Sequence, residues 1–235
     1  MLLKGIMIAL AVCYPLLAHF AVVRGSALLT AASLGALALA VLLPGLARGR
    51  PAAYVSAAAA AAILIVLARS SLAWLPLYAP AIVTDLFGAW LFARTLTPGR
   101  VPLIERIVRL LHAPDEQLDP AIEVYARRLT IAWAGLFAVL AAVSLALALF
   151  AAPNGILLLL GLHPGVTVPQ EVWSLFANLL EYGIVAAFFA IEYGYRRQRF
   201  PQQPYANILD FLRRMVRVAP AAFGAARPRG ARSSA

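Results

Sequence analysis

Six long apolar runs follow one another along the chain, and most of the charged residues lie between or after them. The runs cover about residues 6–23, 27–46, 52–67, 72–93, 130–151 and 172–193. About 20 helical residues, each rising about 1.5 Å, cross the hydrocarbon core of a bilayer, so each run is close to or above the length of a span. The third run is the weakest because residues 57–62 are all alanine, and neighbouring helices would have to keep it inserted. The pattern predicts an all-α, polytopic integral membrane protein with about six transmembrane helices.

Two charged segments have the period of an amphipathic helix instead. The first opens the segment 101–128, and its polar residues Glu105, Arg106, Arg109 and His112 lie opposite an apolar face made by Leu103, Ile104, Ile107, Val108, Leu110 and Leu111. The second begins at Pro204, and its arginines lie opposite an apolar face made by Tyr205, Ile208, Leu209, Leu212, Met215, Val216 and Ala219. Such helices usually lie in the headgroup plane of a membrane, and a groove on a partner protein is the alternative. We predict two cytoplasmic interfacial helices whose lipid-surface residues are Arg106, Arg109, Arg213, Arg214 and Arg217.

The chain is therefore expected to have two parts. Residues 1–200 form the six-span domain, and residues 201–235 form a cytoplasmic amphipathic helix with a basic tail that is rich in Arg, Gly, Pro and Ser and is expected to be disordered. Asp119 and Pro120 are typical of a helix start, because Asp accepts a hydrogen bond at the cap and Pro fits the first helical position. A helix that begins at Pro120 would run straight into the fifth apolar run.

Composition and charge support a membrane location. Hydrophobic residues make up 63% of the chain and charged residues 13%, whereas a soluble domain has about 45–50% apolar residues. The net charge of +10 would suit nucleic acid in a soluble protein, but here the charges lie between and after the apolar runs and suit an anionic lipid surface. We therefore predict membrane lipids, and no nucleic acid, as partners. Cys13 is the single cysteine, so an intramolecular disulfide is excluded.

The distribution of positive charge predicts the orientation of the spans. With the amino terminus inside, 18 of the 20 lysines and arginines lie on the inner side, and only Arg24 and Arg69 lie outside. This contrast predicts six spans with both termini in the cytoplasm. A cleaved signal peptide is the competing interpretation of the first run, but the cleavage site is poor and further spans follow at once.

Common catalytic and cofactor signatures are missing from the sequence. There is no Walker-type phosphate loop, no dinucleotide fingerprint, no Cys-x-x-Cys pair and no His-Glu-x-x-His. His19, His112 and His163 are far apart, and Pro114 interrupts the helix that would pair His112 with Glu116. We predict neither a metal site nor a cofactor.

A few polar residues lie inside the apolar runs: His19 in the first, Asp85 in the fourth, and Asn178 and Glu181 in the sixth. A central Asp costs at least about 2.5–3.5 kcal/mol to insert, so such groups usually face a cavity, a partner or a pathway. Asp85 and Glu181 are candidates for a substrate or proton site or for the lining of a polar cleft. The alternative is a neutral carboxylic acid that is hydrogen-bonded to a neighbouring helix.

Residues near the ends of the runs have a simpler interpretation. Glu192 lies eleven residues after Glu181, hence on the same helical face, but it is also four residues before Arg196 and close to the cytoplasmic boundary. We interpret Glu192 and Arg196 as an interfacial ion pair. Aromatic residues near span ends are expected to serve in helix packing and in interfacial belts, namely Tyr182, Tyr193, Tyr195, Trp74, Trp90, Trp133 and Trp173.

Three stretches, PLIERIVRLLH, YARRLTIAW and EYGYRRQRFPQQPYANILDFLRRM, resemble a family of bacterial inner-membrane proteins that are encoded beside the enzymes of aryl-polyene, xanthomonadin-type pigment biosynthesis. The resemblance covers chiefly residues 94–133 and 181–215. It implies a bacterial inner-membrane location and a role in a pathway in which polyenes are built on acyl carriers in the cytoplasm and end up on membrane lipid. It carries over no catalytic residues.

Three functional hypotheses follow. The first is an accessory membrane protein that docks cytoplasmic biosynthetic enzymes or lipophilic intermediates at the inner leaflet. The second is a carrier or flippase for a lipid-linked intermediate that uses Asp85, Glu181 and a helix break at Pro76/Pro80, with a cleft enclosed by one chain or by a homo-oligomer. The third is a membrane acyl or glycosyl transferase, for which His112 and Glu116 are the available bases.

Overall fold

The computed structural model describes residues 2–111, 119–200 and 207–223. Within them the regular secondary structure is helical apart from two strands of two residues each, and turns and loops connect these elements. Several sequence predictions concern residues outside this part of the chain: His112 and Glu116, the residues before Asn207 in the second amphipathic segment, and the basic tail.

Ten α-helices and one strand pair follow one another through the described residues. They are α1 (Leu2–Val23), α2 (Ala27–Leu46), α3 (Pro51–Ala68), α4 (Leu75–Ala93), α5 (Leu103–Leu111), α6 (Pro120–Phe150), β1 (Ala151–Ala152), α7 (Ile156–Leu159), β2 (Val168–Pro169), α8 (Gln170–Leu175), α9 (Glu181–Arg199) and α10 (Ile208–Phe223). The strands are parallel, with Ala151 opposite Val168. A 3₁₀ turn, Ser71–Trp74, precedes α4, and a π-helical turn, Phe176–Leu180, joins α8 to α9.

The prediction of six long apolar helices is confirmed. Six helical segments are long and apolar enough to cross a membrane: Gly5–Val23, Ala27–Leu46, Pro51–Ala68, Leu72–Ala93, Pro120–Phe150 and Gln170–Arg199. The fifth begins ten residues before its apolar run because Asp119 caps it, accepting a hydrogen bond from the Ala121 N–H at 2.8 Å, with Pro120 at the first position. The sixth, which we call the long helix, extends at both ends of its run.

The helix break was expected at Pro76/Pro80; a change of helix type lies directly before Pro76, whereas Pro80 lies inside a continuous helix. The fourth segment changes from 3₁₀ to α geometry at Leu75, and α4 then continues through Pro80 to Ala93. Pro76 occupies the first turn of α4, where a missing N–H leaves no hydrogen bond unmade. The irregularity therefore lies at the start of this helix, about three turns before Asp85.

The chain divides into two compact units, each described by itself. The first unit contains Met1–Val83 and Ala141–Val185, and the second contains Thr84–Leu140 and Ala186–Ala235. The core of the first unit combines small residues with a few large rings: Tyr14, Ala18, Val22, Leu77, Tyr78, Ala148, Ala151, Trp173 and Ala177. Trp173 is fully buried and packs edge-on against Tyr78, with ring centroids 4.4 Å apart. Of the two roles expected for the aromatic residues near span ends, Trp173 therefore has the helix-packing one, because the first unit encloses its ring.

Close helix packing in the first unit depends on one glycine. A Cβ atom on Gly45 of α2 would lie 2.7 Å from the Cβ of Ala53 in α3, well inside van der Waals contact. Small residues on both sides allow the two helices to approach closely, as in membrane helix pairs.

The second unit contains both amphipathic helices, which pack against each other. Leu103, Ile107 and Ala222 form their shared core, with Leu111, Met215 and Val218 beside it. The start of α5 is held from outside, because Thr95 Oγ1 accepts from the Leu103 N–H at 3.0 Å and Thr130 Oγ1 accepts from the Ile104 N–H at 3.3 Å. The apolar side of α5 thus already has an occupant inside the chain.

The predicted apolar face of α10 omits one residue that the second unit buries. The buried residue that anchors this helix is Phe211, whereas Leu209 and Val216, expected on the apolar face, are 61% and 71% exposed. Two apolar stripes run along α10, and the unit buries the one through Phe211, Met215 and Val218. The outward stripe combines Leu209 and Val216 with the exposed arginines Arg213 and Arg217.

Large apolar side chains remain exposed along the long helices. Examples are Ile8 and Leu28 in the first two helices, Val55 and Val66 in the third, and Ile191 in the long helix. Exposed apolar surface on this scale is unusual for a soluble monomer.

Candidate functional site

Four polar residues of the long helix are buried in the first unit. Gln170, Ser174, Asn178 and Glu181 follow at intervals of four, four and three residues, and none is more than 7% exposed. These intervals keep side chains on neighbouring turns on the same side of a helix. From Gln170 to Glu181 the helix rises about 16 Å. We call these four residues and their hydrogen-bonding partners the polar file.

The inner part of the polar file connects three helices. Asn178 Nδ2 donates to Ser174 Oγ at 3.2 Å, and Ser174 Oγ lies 3.1 Å from Nδ1 of His19 in α1. The Ser174 hydroxyl can donate to His19 Nδ1 or accept from it, depending on the imidazole tautomer, because its second lone pair stays open beside the one that Asn178 occupies. Ser144 of α6 donates its hydroxyl proton to Glu181 Oε1.

The outer part of the polar file includes the loop before α8. Tyr78 Oη donates to the backbone carbonyl of Asn154 at 3.0 Å, and Asn154 Nδ2 donates to Gln170 Oε1 at 3.0 Å. Two buried N–H groups here, Gln170 Nε2 and Trp173 Nε1, find no acceptor among the residues that the structure describes. A buried donor without an acceptor lowers the free energy of unfolding by about 1–3 kcal/mol, so an acceptor atom beside Gln170 and Trp173 would stabilise the protein.

A π-helical turn interrupts the long helix at the centre of the file. It covers Phe176–Leu180, contains Asn178, and ends directly before Glu181. π-Helical turns are rare in proteins, and many of those that occur lie at functional sites.

The structure brings together three of the four polar candidates that lie within the apolar runs. His19, Asn178 and Glu181 all belong to the polar file, whereas Asp85 is buried in the second unit. Ser144, Ser174 and Gln170 were not among the candidate site residues predicted from the sequence. Their signal was available in part, because Gln170, Ser174 and Asn178 repeat every four residues before Glu181.

Glu192 and Arg196 form a close pair in the second unit. Arg196 Nε lies 2.9 Å from Glu192 Oε1, and Tyr125 Oη donates to the same oxygen at 3.0 Å. The guanidinium carbon of Arg196 lies 4.4 Å from the ring centroid of Phe211. Both charged residues are only 8% exposed, so the protein encloses this ion pair.

A cleft of about 390 Å³ opens beside this pair, between the start of α6 and the end of α9. Its lining residues include the aromatic Tyr125, Tyr195 and Phe200 and the basic Arg128 and Arg199. Tyr125 packs against both other rings, with centroids 5.8 Å and 5.4 Å apart. Within the described residues neither Arg128 nor Arg199 forms an ion pair with a carboxylate. The cleft therefore offers an apolar, aromatic wall beside two available positive charges.

The five arginines expected on lipid differ in their surroundings. Arg106 Nη1 donates to the carbonyl of Ala222 at 2.8 Å, and Arg109 contacts both Glu105 and Glu123. Arg214 pairs with Asp210 at 3.1 Å, while Arg213 and Arg217 are exposed. The contacts of Arg106 and Arg109 inside the second unit compete with lipid, which leaves Arg213 and Arg217 as the better candidates for a membrane surface.

Metal ligands do not converge among the described residues: no group of three or more His, Cys, Asp or Glu side chains comes close enough to hold an ion. The chain matches no family model, no curated protein and no solved structure.

Proposed function

We propose that the six long helices span the bacterial inner membrane with both termini in the cytoplasm. The exposed apolar side chains along these helices support insertion, because lipid is the solvent that such a surface requires. The orientation rests on the 18 lysines and arginines that lie on one side in this topology. The cleft and both amphipathic helices then lie at the inner leaflet.

The function that the geometry supports best is that of an accessory protein of aryl-polyene-type pigment biosynthesis, which holds an anionic lipophilic intermediate at the inner leaflet for cytoplasmic enzymes. The observation that carries this proposal is the cleft of Tyr125, Tyr195, Phe200, Arg128 and Arg199. Its volume of about 390 Å³ falls within the usual 300–1,000 Å³ of small-molecule sites. Aromatic walls suit a flat conjugated chain, and two guanidinium groups suit a carboxylate or phosphate head group.

The outward stripe of α10 supports the same location. Leu209 and Val216 alternate there with Arg213 and Arg217, which is the combination that binds an anionic membrane surface. Binding of this stripe to lipid would keep the second unit against the leaflet from which the cleft takes its ligand. Docking of a cytoplasmic enzyme on the same stripe is the corresponding protein contact.

Replacing both cleft arginines should weaken binding of an anionic polyene by about tenfold or more, since losing about 1.4 kcal/mol of binding free energy changes affinity tenfold. The variant is Arg128→Gln/Arg199→Gln, and the probe is parinaric acid, a conjugated fatty acid that accepts excitation energy from tryptophan. Energy transfer is titrated with purified protein in micelles. The matched control is Arg127→Gln/Arg197→Gln, which removes the same charge from exposed neighbours that do not line the cleft.

Equal weakening in the two double variants would contradict the proposal, because it would show that net charge on the micelle surface, not the cleft, attracts the probe. An unchanged affinity in the Arg128→Gln/Arg199→Gln variant would contradict it as well.

Deleting the gene and analysing the cells by mass spectrometry should reveal the step that depends on the protein. The accessory role predicts accumulation of free or carrier-bound polyene, because the intermediate no longer reaches the membrane enzymes. Finished pigment lipid retained in the inner membrane would favour the transport hypothesis, which the buried polar file also supports. Normal pigment in the outer layers of the cell would contradict both.

A further inference from the structure

We propose that Glu181 is a proton-binding site inside the membrane, reached from the Gln170 end of the long helix through the polar file and water. The site belongs to the first unit and is separate from the cleft of the second, so it extends beyond the function proposed above. The ligand is the proton itself. The Glu181 carboxylate takes a proton from water and becomes a carboxylic acid, and the acid returns the proton to water and becomes the carboxylate again.

Buried polar side chains follow one another along one side of the long helix. From the Asn154 loop to Glu181, buried polar groups occur on every turn of the long helix, and partners from α1, α4 and α6 complete them. Isolated buried polar groups in a membrane helix are readily explained by local hydrogen bonding. A series of such groups on successive turns that ends on a carboxyl group suits a proton relay, in which water joins the members that share no direct hydrogen bond.

The Gln170 end of the polar file requires a hydrogen-bond acceptor. Gln170 Nε2 and Trp173 Nε1 are buried donors without an acceptor among the described residues. A water molecule accepts from such donors and still has two protons to donate onward. Water at this point would begin the path, and the hydroxyl of Ser174 with the imidazole of His19 would continue it, because both groups accept and donate protons.

The groups around Glu181 are compatible with proton exchange. The elements packed along the polar file carry the titratable residues His19 and Tyr14 in α1 and Tyr78 in α4, and the long helix itself contributes Glu171 and Tyr182. From α6 comes the hydroxyl of Ser144. Residues 5–23, 75–83, 141–150 and 170–185 contain no lysine or arginine, so His19 is the side chain in these segments that can become a cation near neutral pH.

The unaltered chain provides the first test. Dicyclohexylcarbodiimide enters the bilayer and adds to a protonated carboxyl group to give a stable acylurea, whose position peptide mass spectrometry identifies. In inner-membrane vesicles we expect modification of Glu181, with a rate that rises by up to about tenfold per pH unit as the pH falls. The Glu181→Gln variant is the control for the assignment. No modification of Glu181, a rate independent of pH, or protection by sodium chloride at constant pH would overturn the proposal, the last by indicating a metal-cation site.

Access through the file provides the second test. In a Cys13→Ser background, a Ser174→Cys variant should react with a membrane-impermeant, cationic methanethiosulfonate added to the outside of the cells. The matched control is Leu175→Cys, which lies one residue further along the helix and so at nearly the same depth, but is 42% exposed on the helix exterior, where lipid excludes the reagent. Absence of reaction at position 174, or equal reaction at both positions, would overturn the path. Reaction only from the cytoplasmic side would leave the path intact and contradict the proposed membrane orientation instead.

Discussion

The Arg196→Met variant should unfold with a free energy about 3–5 kcal/mol lower than that of the unaltered chain, because it leaves the buried Glu192 carboxylate without its cation. Arg196 contacts Glu192 at 2.9 Å and covers the Phe211 ring at 4.4 Å, so its removal also loosens the attachment of α10. Unfolding is followed by circular dichroism as denaturing detergent is added to mild micelles.

The matched control is Arg214→Met. Arg214 also pairs with a carboxylate four residues earlier, Asp210, but the two side chains are 44% and 33% exposed. Exposed pairs contribute about 0–1 kcal/mol, so this variant should unfold almost as the unaltered chain does. The double variant Glu192→Met/Arg196→Met removes both buried charges and should recover much of the loss. Equal effects in Arg196→Met and Arg214→Met would show that the Glu192 pair is not enclosed by protein.

Replacing Trp173 by alanine should lower the free energy of unfolding by about 3–5 kcal/mol, the usual range for deleting a large buried ring. Trp173 is fully buried and has Tyr78 edge-on at 4.4 Å, so the variant leaves a cavity at the centre of the first unit. The same detergent titration measures the loss.

Trp90→Ala is the control because Trp90 is 52% exposed and its described polar contact is the guanidinium of Arg94, 4.5 Å from the ring. Losing that cation–π contact costs about 0.5–1 kcal/mol at an exposed site. A Trp173→Ala effect no larger than that of Trp90→Ala would contradict the burial of Trp173. Tryptophan fluorescence of each variant, compared with the unaltered chain, reports whether the remaining rings keep their surroundings.

The six long helices could be predicted from sequence because a run of about 20 apolar residues has few alternatives. The candidate site was only partly predictable. Glu181 and Asp85 are conspicuous in apolar runs because a charge there is expensive, whereas Ser144 and Ser174 are ordinary residues in membrane helices and gain meaning only from what they contact.

The two amphipathic helices show what periodicity leaves open. A helical period identifies which residues share a face, but α10 has two apolar stripes, and the choice of Phe211 over Leu209 depends on α5 and α9 lying beside it. Likewise, Glu105 was assigned to a polar face, yet it is buried because Arg109 neutralises it from the next turn. Helix partners decide both cases, and a single sequence does not contain that information.

The π-helical turn at Phe176–Leu180 makes the long helix sensitive to length as well as to side-chain chemistry. Each residue of an α-helix advances the chain by about 100° around the axis. A π-helical turn is wider than an α-helical turn and accommodates about one extra residue, so rewinding Phe176–Leu180 as an α-helix would rotate Glu181 away from Ser144. The turn thus sets the phase of Glu181 relative to Ser174 and Gln170, and inserting one residue between Leu180 and Glu181 would redirect the carboxylate without altering any polar group of the file.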